Sequence, residues 1–548
     1  MATNREFART NIGPNNPLFS NFKVMVESAF YGNNVERVTD LATAYANARR
    51  APGVVTTDMP IAHTDELGLP ADAKVLVSND GRVVGRTAAA RRIIGQPGID
   101  AKYYADILRE AVFAGTRRQF FTGDVVVGLD KEFSVRAHLL LNKDYAANFY
   151  SYLLNFQIAT TTVLERYAHS NPLPENDIYI YADPDWAHPD FPNGLALFDP
   201  THNVAAILGL RYFGELKKST LTLAWATAHR NGFTACHGGM KRYDLGTRKF
   251  TMAAFGLSGS GKSTITLAKH DGKYKVDVLH DDAFVINRQT GTTTALEPAY
   301  FDKTADYAPS DPALQYFLTA QNVGVTLDDA GQKVLVTQEV RNNNGRAIKS
   351  RFLTPNRVDH LAEPLNAVFW IMKDDTLPAV LKITDPTLAA VFGATLATKR
   401  STAENLVGKV DMNALVIEPF ANPFRCYPLG EDYADFRSIF ADGKTACYIL
   451  NTGFFNGKKV TPGVTLGSIE KIVENQAAFT PFGDIQNVSY LDVPGYPVDF
   501  TDADYTARLR ARMHDRLEYV KTQKTANAGY NALPDEAEDT LVRLLAEL

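Results

Sequence analysis

The run Gly256-Leu257-Ser258-Gly259-Ser260-Gly261-Lys262-Ser263 constrains this chain more than any other segment. It fits G-x-x-x-x-G-K-[ST]; residues 251–255 before it are apolar, and residues 264–269 after it read as a helix. The motif works only between a strand and a helix. Its glycines let backbone N–H groups turn toward a polyphosphate, and the helix start adds a favourable dipole. On that reading Lys262 reaches the β- and γ-phosphates, and the Ser263 hydroxyl ligates the nucleotide's divalent ion. The loop implies polyphosphate binding and does not name a reaction.

At 548 residues the chain exceeds one ordinary core, so two or more lobes are expected. A hydrophobic content of 45% with 22% charged residues is that of a soluble globular protein. The net charge of −5 shows no bias toward nucleic acid, so an anionic substrate must meet a local cluster of cations. Cys236, Cys426 and Cys447 have no metal-ligand spacing and argue against a disulfide framework. No apolar run is long enough to span a bilayer, and residues 1–5 lead into mixed sequence without a signal-peptide core. The expectation is a cytoplasmic enzyme without nucleic-acid or membrane partners; oligomeric state is not legible.

Hydrophobic periodicity predicts helices over 42–50, 103–114, 149–156, 311–323 and 503–524. Alternation and short apolar runs predict strands over 119–129, 134–141, 177–182, 204–208, 250–255, 275–279, 367–372 and 447–450. Residues 73–84 read as two short strands around Asn79-Asp80-Gly81, and Ala537, Leu541, Leu544 and Leu545 as a helical packing stripe. The fold class is α/β, mixed α+β.

Two further constellations carry chemistry. His280-Asp281-Asp282 ends an apolar strand downstream of the loop, where such proteins hold a metal or its waters, although a paired Asp alone is usually a turn or a cap. Tyr212-Phe213-Gly214-Glu215-Leu216-Lys217-Lys218 is followed by Cys236-His237-Gly238-Gly239. By spacing alone the lysine pair reads as a solvated surface and His237 as structural.

Taken in order, these segments resemble the ATP-dependent phosphoenolpyruvate carboxykinase family. That family has a Tyr-Gly-Gly-Glu-Met-Lys-Lys segment, a metal-binding His, a Gly-Leu-Ser-Gly-Thr-Gly-Lys-Thr loop and a Gly-Asp-Asp segment. Val84-Gly85-Arg86-Thr87 looks like its substrate loop, residues 122–136 like its Leu-Ser-Val-Arg strand, and Asn344-Gly345-Arg346 like its Asn-Thr-Arg. Asn451-Thr452-Gly453 through Gly457-Lys458-Lys459 looks like its nucleotide segment. The matches span residues 80–470.

The resemblance implies a two-lobed carboxykinase-like fold. It places a substrate-side domain over 1–231, and a nucleotide- and metal-binding domain over 232–548 with a mobile lid near 391–405. It implies that oxaloacetate loses CO2 and that the enolate takes the γ-phosphoryl group of ATP, reversibly giving phosphoenolpyruvate and ADP. Lys218, His237 and Asp282 would hold Mn2+, and Lys218 would need a depressed pKa because only a neutral amine is a ligand. Mg2+ would ride on ATP and Ser263. Arg86 and Arg346 would clamp substrate carboxylates, for which planar guanidinium groups are suited. Tyr212 would position the enolate or CO2, and Lys262 would stabilise the transferring phosphoryl group. Ser258 would approach the substrate, and Lys459, Val460 and Thr465 would serve adenine and ribose.

The chain also departs from the family. Gly238-Gly239-Met240 stands for Ser-Ala-Asn, His280 for the Gly before the paired Asp, Lys459 for an Arg, and Ala397-Thr398-Lys399-Arg400-Ser401 for a glycine-flanked lid. Two other readings share the scaffold: a kinase for another small molecule or a protein hydroxyl, and a nucleotide-binding regulator without catalysis.

Overall fold

A computed structural model describes residues 2–81, 88–257, 259–338, 344–399 and 415–548. Thirteen α-helices and several mixed sheets in these residues make a mixed α/β fold. The chain packs as two compact units. The first holds the described residues of Met1–Thr227 and Ala295–Pro355; the second holds Ala228–Thr294 and the described residues from Asn356 to Leu548.

In the first unit, an eight-stranded sheet runs in the order Val35–Arg37, Phe120–Asp130, Phe133–Asn142, Ile178–Asp183, Val204–Leu208, Leu195–Asp199, Arg91–Ile93. Gln157–Ile158 pairs with Phe120–Asp130 off this path. The helix Ala101–Gly115 begins where Asp100 accepts from the Lys102 and Tyr103 N–H groups. It buries Tyr104, Leu108 and Ala111 in one cluster with Phe120, Leu140 and Tyr181. This is the helical spacing that the sequence shows, and each large apolar side chain so buried contributes about 1.5–3 kcal/mol.

A second sheet of this unit decides much of the site. Its order is Tyr300–Lys303, Arg346–Lys349, Phe317–Gln321, Lys74–Ser78, Val55–Pro60. Two expectations change here. Residues 311–323 do not form a helix: Asp311 caps a 3-10 turn over Pro312–Tyr316, and Phe317–Gln321 is a buried strand. That strand pairs parallel with Lys74–Ser78 and antiparallel with Arg346–Lys349, and this non-local pairing overrides local periodicity. Residues 73–84 do not show a hairpin among the described residues. Lys74–Ser78 takes its neighbours from 55–60 and 317–321, and the expected second strand falls largely outside the described residues. The same pairing places Ala295–Pro355 in the first unit, whereas the expected boundary near 231 assigned it to the second domain.

The second unit is built on an eight-stranded sheet, Lys275–His280, Gly239–Asp244, Lys249–Phe255, Ala367–Met372, Ala446–Asn451, Val380–Ile383, Val488–Leu491, Phe479–Pro481. Lys249–Phe255, Ala367–Met372 and Ala446–Asn451 are adjacent and parallel. Ala367–Met372 is buried at every position, which explains an unbroken apolar run in place of alternation. The expected C-terminal helices appear as Ala503–Thr525 and Asp535–Glu547, and the second buries the predicted Ala537, Leu541, Leu544 and Leu545. All three cysteines are buried, and none forms a disulfide among the described residues. No helix among the described residues is long and apolar enough to cross a membrane.

Candidate active site

Three parallel strands of the second unit end at one cavity. Lys249–Phe255 runs into the phosphate loop, Ala367–Met372 into Lys373, and Ala446–Asn451 into Thr452. Ligands of α/β sheets collect at the carboxyl ends of such strands. The loop turns through Gly259 (φ 81°) and Gly261 (φ 101°), left-handed conformations that favour glycine, and then enters the short helix Lys262–Leu267. Lys373 Nζ donates to the Gly259 carbonyl at 2.8 Å, and Thr452 Oγ1 to the Ser260 carbonyl at 2.8 Å. A cavity of about 150 Å3 is lined by Gly261, Lys373 and Thr452 together with the predicted Lys459, Val460 and Thr465. That volume holds part of a nucleotide, below the roughly 300–1,000 Å3 of a full ligand pocket.

The phosphate loop meets the paired aspartates directly. Ser263 Oγ donates to Asp281 Oδ2 at 2.9 Å, and Lys262 Nζ lies 3.4 Å from Asp282 Oδ1. The same Asp282 oxygen lies 2.9 Å from His237 Nε2. His237 Nδ1 bonds the Ala421 carbonyl, which only accepts, so Nδ1 carries a proton and Nε2 is the ring atom turned toward Asp282. With the ring neutral, the Nε2 lone pair would face a carboxylate oxygen, an arrangement that a bound cation satisfies. Two ligands at ~2.1 Å from one divalent ion and about a right angle apart lie ~3 Å from each other, so this pair fits such an ion. Among the described residues no three His, Cys, Asp or Glu side chains form a metal-holding group.

The departures from the family pattern have local causes. His280 Nδ1 accepts the N–H groups of Asp282 (2.9 Å) and Ala283 (3.1 Å), so a buried imidazole shapes the turn that presents Asp282. A Cβ on Gly239 would lie 1.8 Å from Thr266 Oγ1, and one on Gly238 2.8 Å from the Phe255 ring. Thr266 belongs to the helix that carries Lys262, so a glycine pair suits the space left beside that helix. The Gly238 N–H donates to the Asp282 carbonyl at 3.0 Å and ties the His237 and Asp282 segments together.

The first unit gathers cations around Tyr212. The hydroxyl of Tyr212 is hydrogen-bonded to the Arg346 guanidinium, and both residues are buried. Burial raises the Tyr212 pKa against the opposing pull of Arg346, so the phenol keeps its proton. Arg346 Nη1 donates to the Gly345 carbonyl at 2.9 Å. Lys217 Nζ is fully buried, 2.9 Å from Glu297 Oε1, and Asn155 Nδ2 holds the other Glu297 oxygen at 2.6 Å. Lys218 is half-buried, with its ammonium 5.7 Å from the Trp225 ring centre.

Lys303 was not legible in the sequence. It stands opposite Arg346 across paired strands, and burial followed by Arg346 lowers its pKa. No motif marks it, because the pairing of 300–303 with 346–349 creates its environment. Lys373 and Thr452 had a usable signal, since each follows a buried parallel strand. Arg86, Ser258, Arg400 and Ser401 lie outside the described residues, as does part of the expected lid over 391–405.

A family model described as phosphoenolpyruvate carboxykinase matches residues 62–493. A curated protein of Aeropyrum pernix, phosphoenolpyruvate carboxykinase (ATP), is 26% identical over 356 residues, which cover 61% of this chain and 70% of that protein. The family match takes in Tyr212, His237, the phosphate loop, the paired aspartates and Arg346 over most of the chain's length, and so the chain is a divergent member of the phosphoenolpyruvate carboxykinase family.

Proposed function

We propose that this chain decarboxylates oxaloacetate and phosphorylates the resulting enolate with ATP, giving phosphoenolpyruvate, ADP and CO2. The observation that carries the reading is Asp282 Oδ1, which lies within 3.4 Å of the phosphate-loop Lys262 and 2.9 Å of His237. Phosphate binding and metal binding thus share one carboxylate, as transfer to a metal-stabilised anion requires.

Each unit supplies part of what the reaction needs. In the second, Lys262 offsets charge on the transferring phosphoryl group, and Ser263 and Asp281 orient the nucleotide's Mg2+. His237 and Asp282 hold Mn2+. When bound, that ion supplies positive charge to the enolate oxygen. Lys459, Val460 and Thr465 take the adenine and ribose, and the resemblance of the phosphate loop and of Asn451-Thr452-Gly453 to the ATP-using branch favours ATP. In the first unit, the protonated Tyr212 donates to substrate or CO2, and Arg346 pairs with a substrate carboxylate. Lys303 and Arg86 add cationic charge for the second carboxylate and the phosphoryl group. The acceptor is thereby an enolate formed from a dicarboxylic acid rather than an alcohol, which sets this reading above a small-molecule or protein kinase. Its setting would be the cytoplasm, in gluconeogenic or anaplerotic metabolism.

Purified protein given oxaloacetate, ATP, Mg2+ and Mn2+ is expected to form phosphoenolpyruvate, with turnover lost in Arg86→Ala and His237→Ala. ATP consumption only with another acceptor, or tight ATP binding without product, would overturn the reading.

A further inference from the structure

Asp80 is 5% exposed and lies just ahead of residues 82–87. Asn322 Nδ2 donates to its Oδ2 at 2.8 Å, and Gln321 Nε2 donates to its Oδ1. Neither amide is free to turn over. The Asp80 N–H donates to Asn322 Oδ1 at 2.8 Å, and the Phe213 N–H donates to Gln321 Oε1 at 3.3 Å. A backbone N–H only donates, so these bonds fix which end of each amide is oxygen. Both amides then present NH2 groups to Asp80, and both of its oxygens must accept. Of the side chains of this size, only a carboxylate offers two acceptors and no donor.

The network reaches both sides of Tyr212. Gln321 Nε2 also donates to Asn148 Oδ1 at 3.0 Å, and Asn148 Nδ2 donates to the Arg211 carbonyl at 2.6 Å. Gln321 therefore holds the residue after Tyr212 directly and the residue before it through Asn148. It is also the cross-strand partner of Arg346. Burial raises the Asp80 pKa and the Asn322 amide, Arg211 and Gln321 pull it back; because both oxygens already accept amide N–H groups, the network holds the ionised form. A buried acid at this cost is expected where its acceptor pattern is needed.

We propose that Asp80 is a positioning residue for the carboxylate-binding residues of the first unit, holding Tyr212 and Arg346 in register through Gln321. This rests on the oxaloacetate reading above, and Asp80 acts without touching substrate.

Asp80→Asn sets one NH2 group against another. The oxaloacetate KM is expected to rise about tenfold or more, while ATP affinity stays within about twofold. The Phe213 amide proton is expected to exchange with solvent about tenfold faster, because its acceptor is released. Adding Asn322→Asp lets residue 80 turn its NH2 group to residue 322 and keep its oxygen on Gln321, and this swapped pair is expected to restore both readouts to within about threefold. Unchanged oxaloacetate KM and Phe213 exchange in Asp80→Asn would overturn the role. So would an equal loss of oxaloacetate and ATP affinity, or no recovery in the swapped pair. A parent protein that makes no phosphoenolpyruvate defeats the proposed reaction instead, and Phe213 exchange then decides the role of Asp80 alone. If Asp80→Asn does not fold, Gln321→Met removes the same link and is read by the same two measurements.

Discussion

The Gly239→Ala variant tests whether the phosphate-loop helix is held by shape. The added Cβ would lie 1.8 Å from Thr266 Oγ1, 3.0 Å from its Cβ and 3.2 Å from its Cγ2. Turning the Thr266 side chain does not remove the conflict, and it gives up the bond from Thr266 Oγ1 to the Lys262 carbonyl (2.9 Å). Relief requires the strand Gly239–Asp244 and the helix Lys262–Leu267 to separate. Overpacking of this kind costs about 1–3 kcal/mol. If the helix yields, Lys262 and Ser263 move with it, and the strain appears in nucleotide affinity as about a 5- to 150-fold weaker Kd. A fluorescent ATP analogue titrated into parent and variant measures this. Thr266→Ala removes the two atoms that carry most of the conflict, so Gly239→Ala with Thr266→Ala is expected to bind within about threefold of Thr266→Ala alone. Binding by Gly239→Ala within about twofold of parent, or additive losses in the double variant, would refute the reasoning.

Three further outcomes follow from the same geometry. His237→Ala is expected to weaken Mn2+ binding about tenfold or more in an electron-paramagnetic-resonance titration without nucleotide; unchanged binding would remove His237 from the metal site. Lys241 is buried, donates to the Ile265 carbonyl at 2.6 Å, lies 3.1 Å from His270 Nε2, and has its pKa lowered to about 7, chiefly by burial. The unfolded chain holds that proton up to the ordinary 10.5 while the folded chain releases it near 7, so the Lys241 contribution to stability rises as pH climbs through that window. Urea midpoints at pH 6.5 and 9 should therefore converge in Lys241→Met, and an unaltered pH dependence would contradict this. Arg516 Nη2 pairs with Asp374 Oδ2 at 2.9 Å with both side chains buried, so Arg516→Met is expected to cost about 3–5 kcal/mol in urea unfolding. Adding Asp374→Leu should recover part of that loss, and a milder single variant would show that Asp374 is otherwise satisfied.

Residues acting through local pattern were legible in the sequence. The phosphate loop, the paired aspartates and the helix Ala503–Thr525 depend on neighbours a few positions away, and each stands where its spacing predicts. His237 needed the order of several motifs, because a single histidine carries no spacing of its own. The tertiary structure decided what depends on distant partners. Phe317–Gln321 became a strand because two other strands offered hydrogen bonds that a local helix would have forgone. Gly239 is set by Thr266, and Lys303 is perturbed by Arg346. Asp80, which looks like one more turn residue, is fixed by amides more than two hundred positions along the chain. A sequence displays the donor or the methyl group, but whether it meets an acceptor or an occupied space is settled only when remote segments pack together.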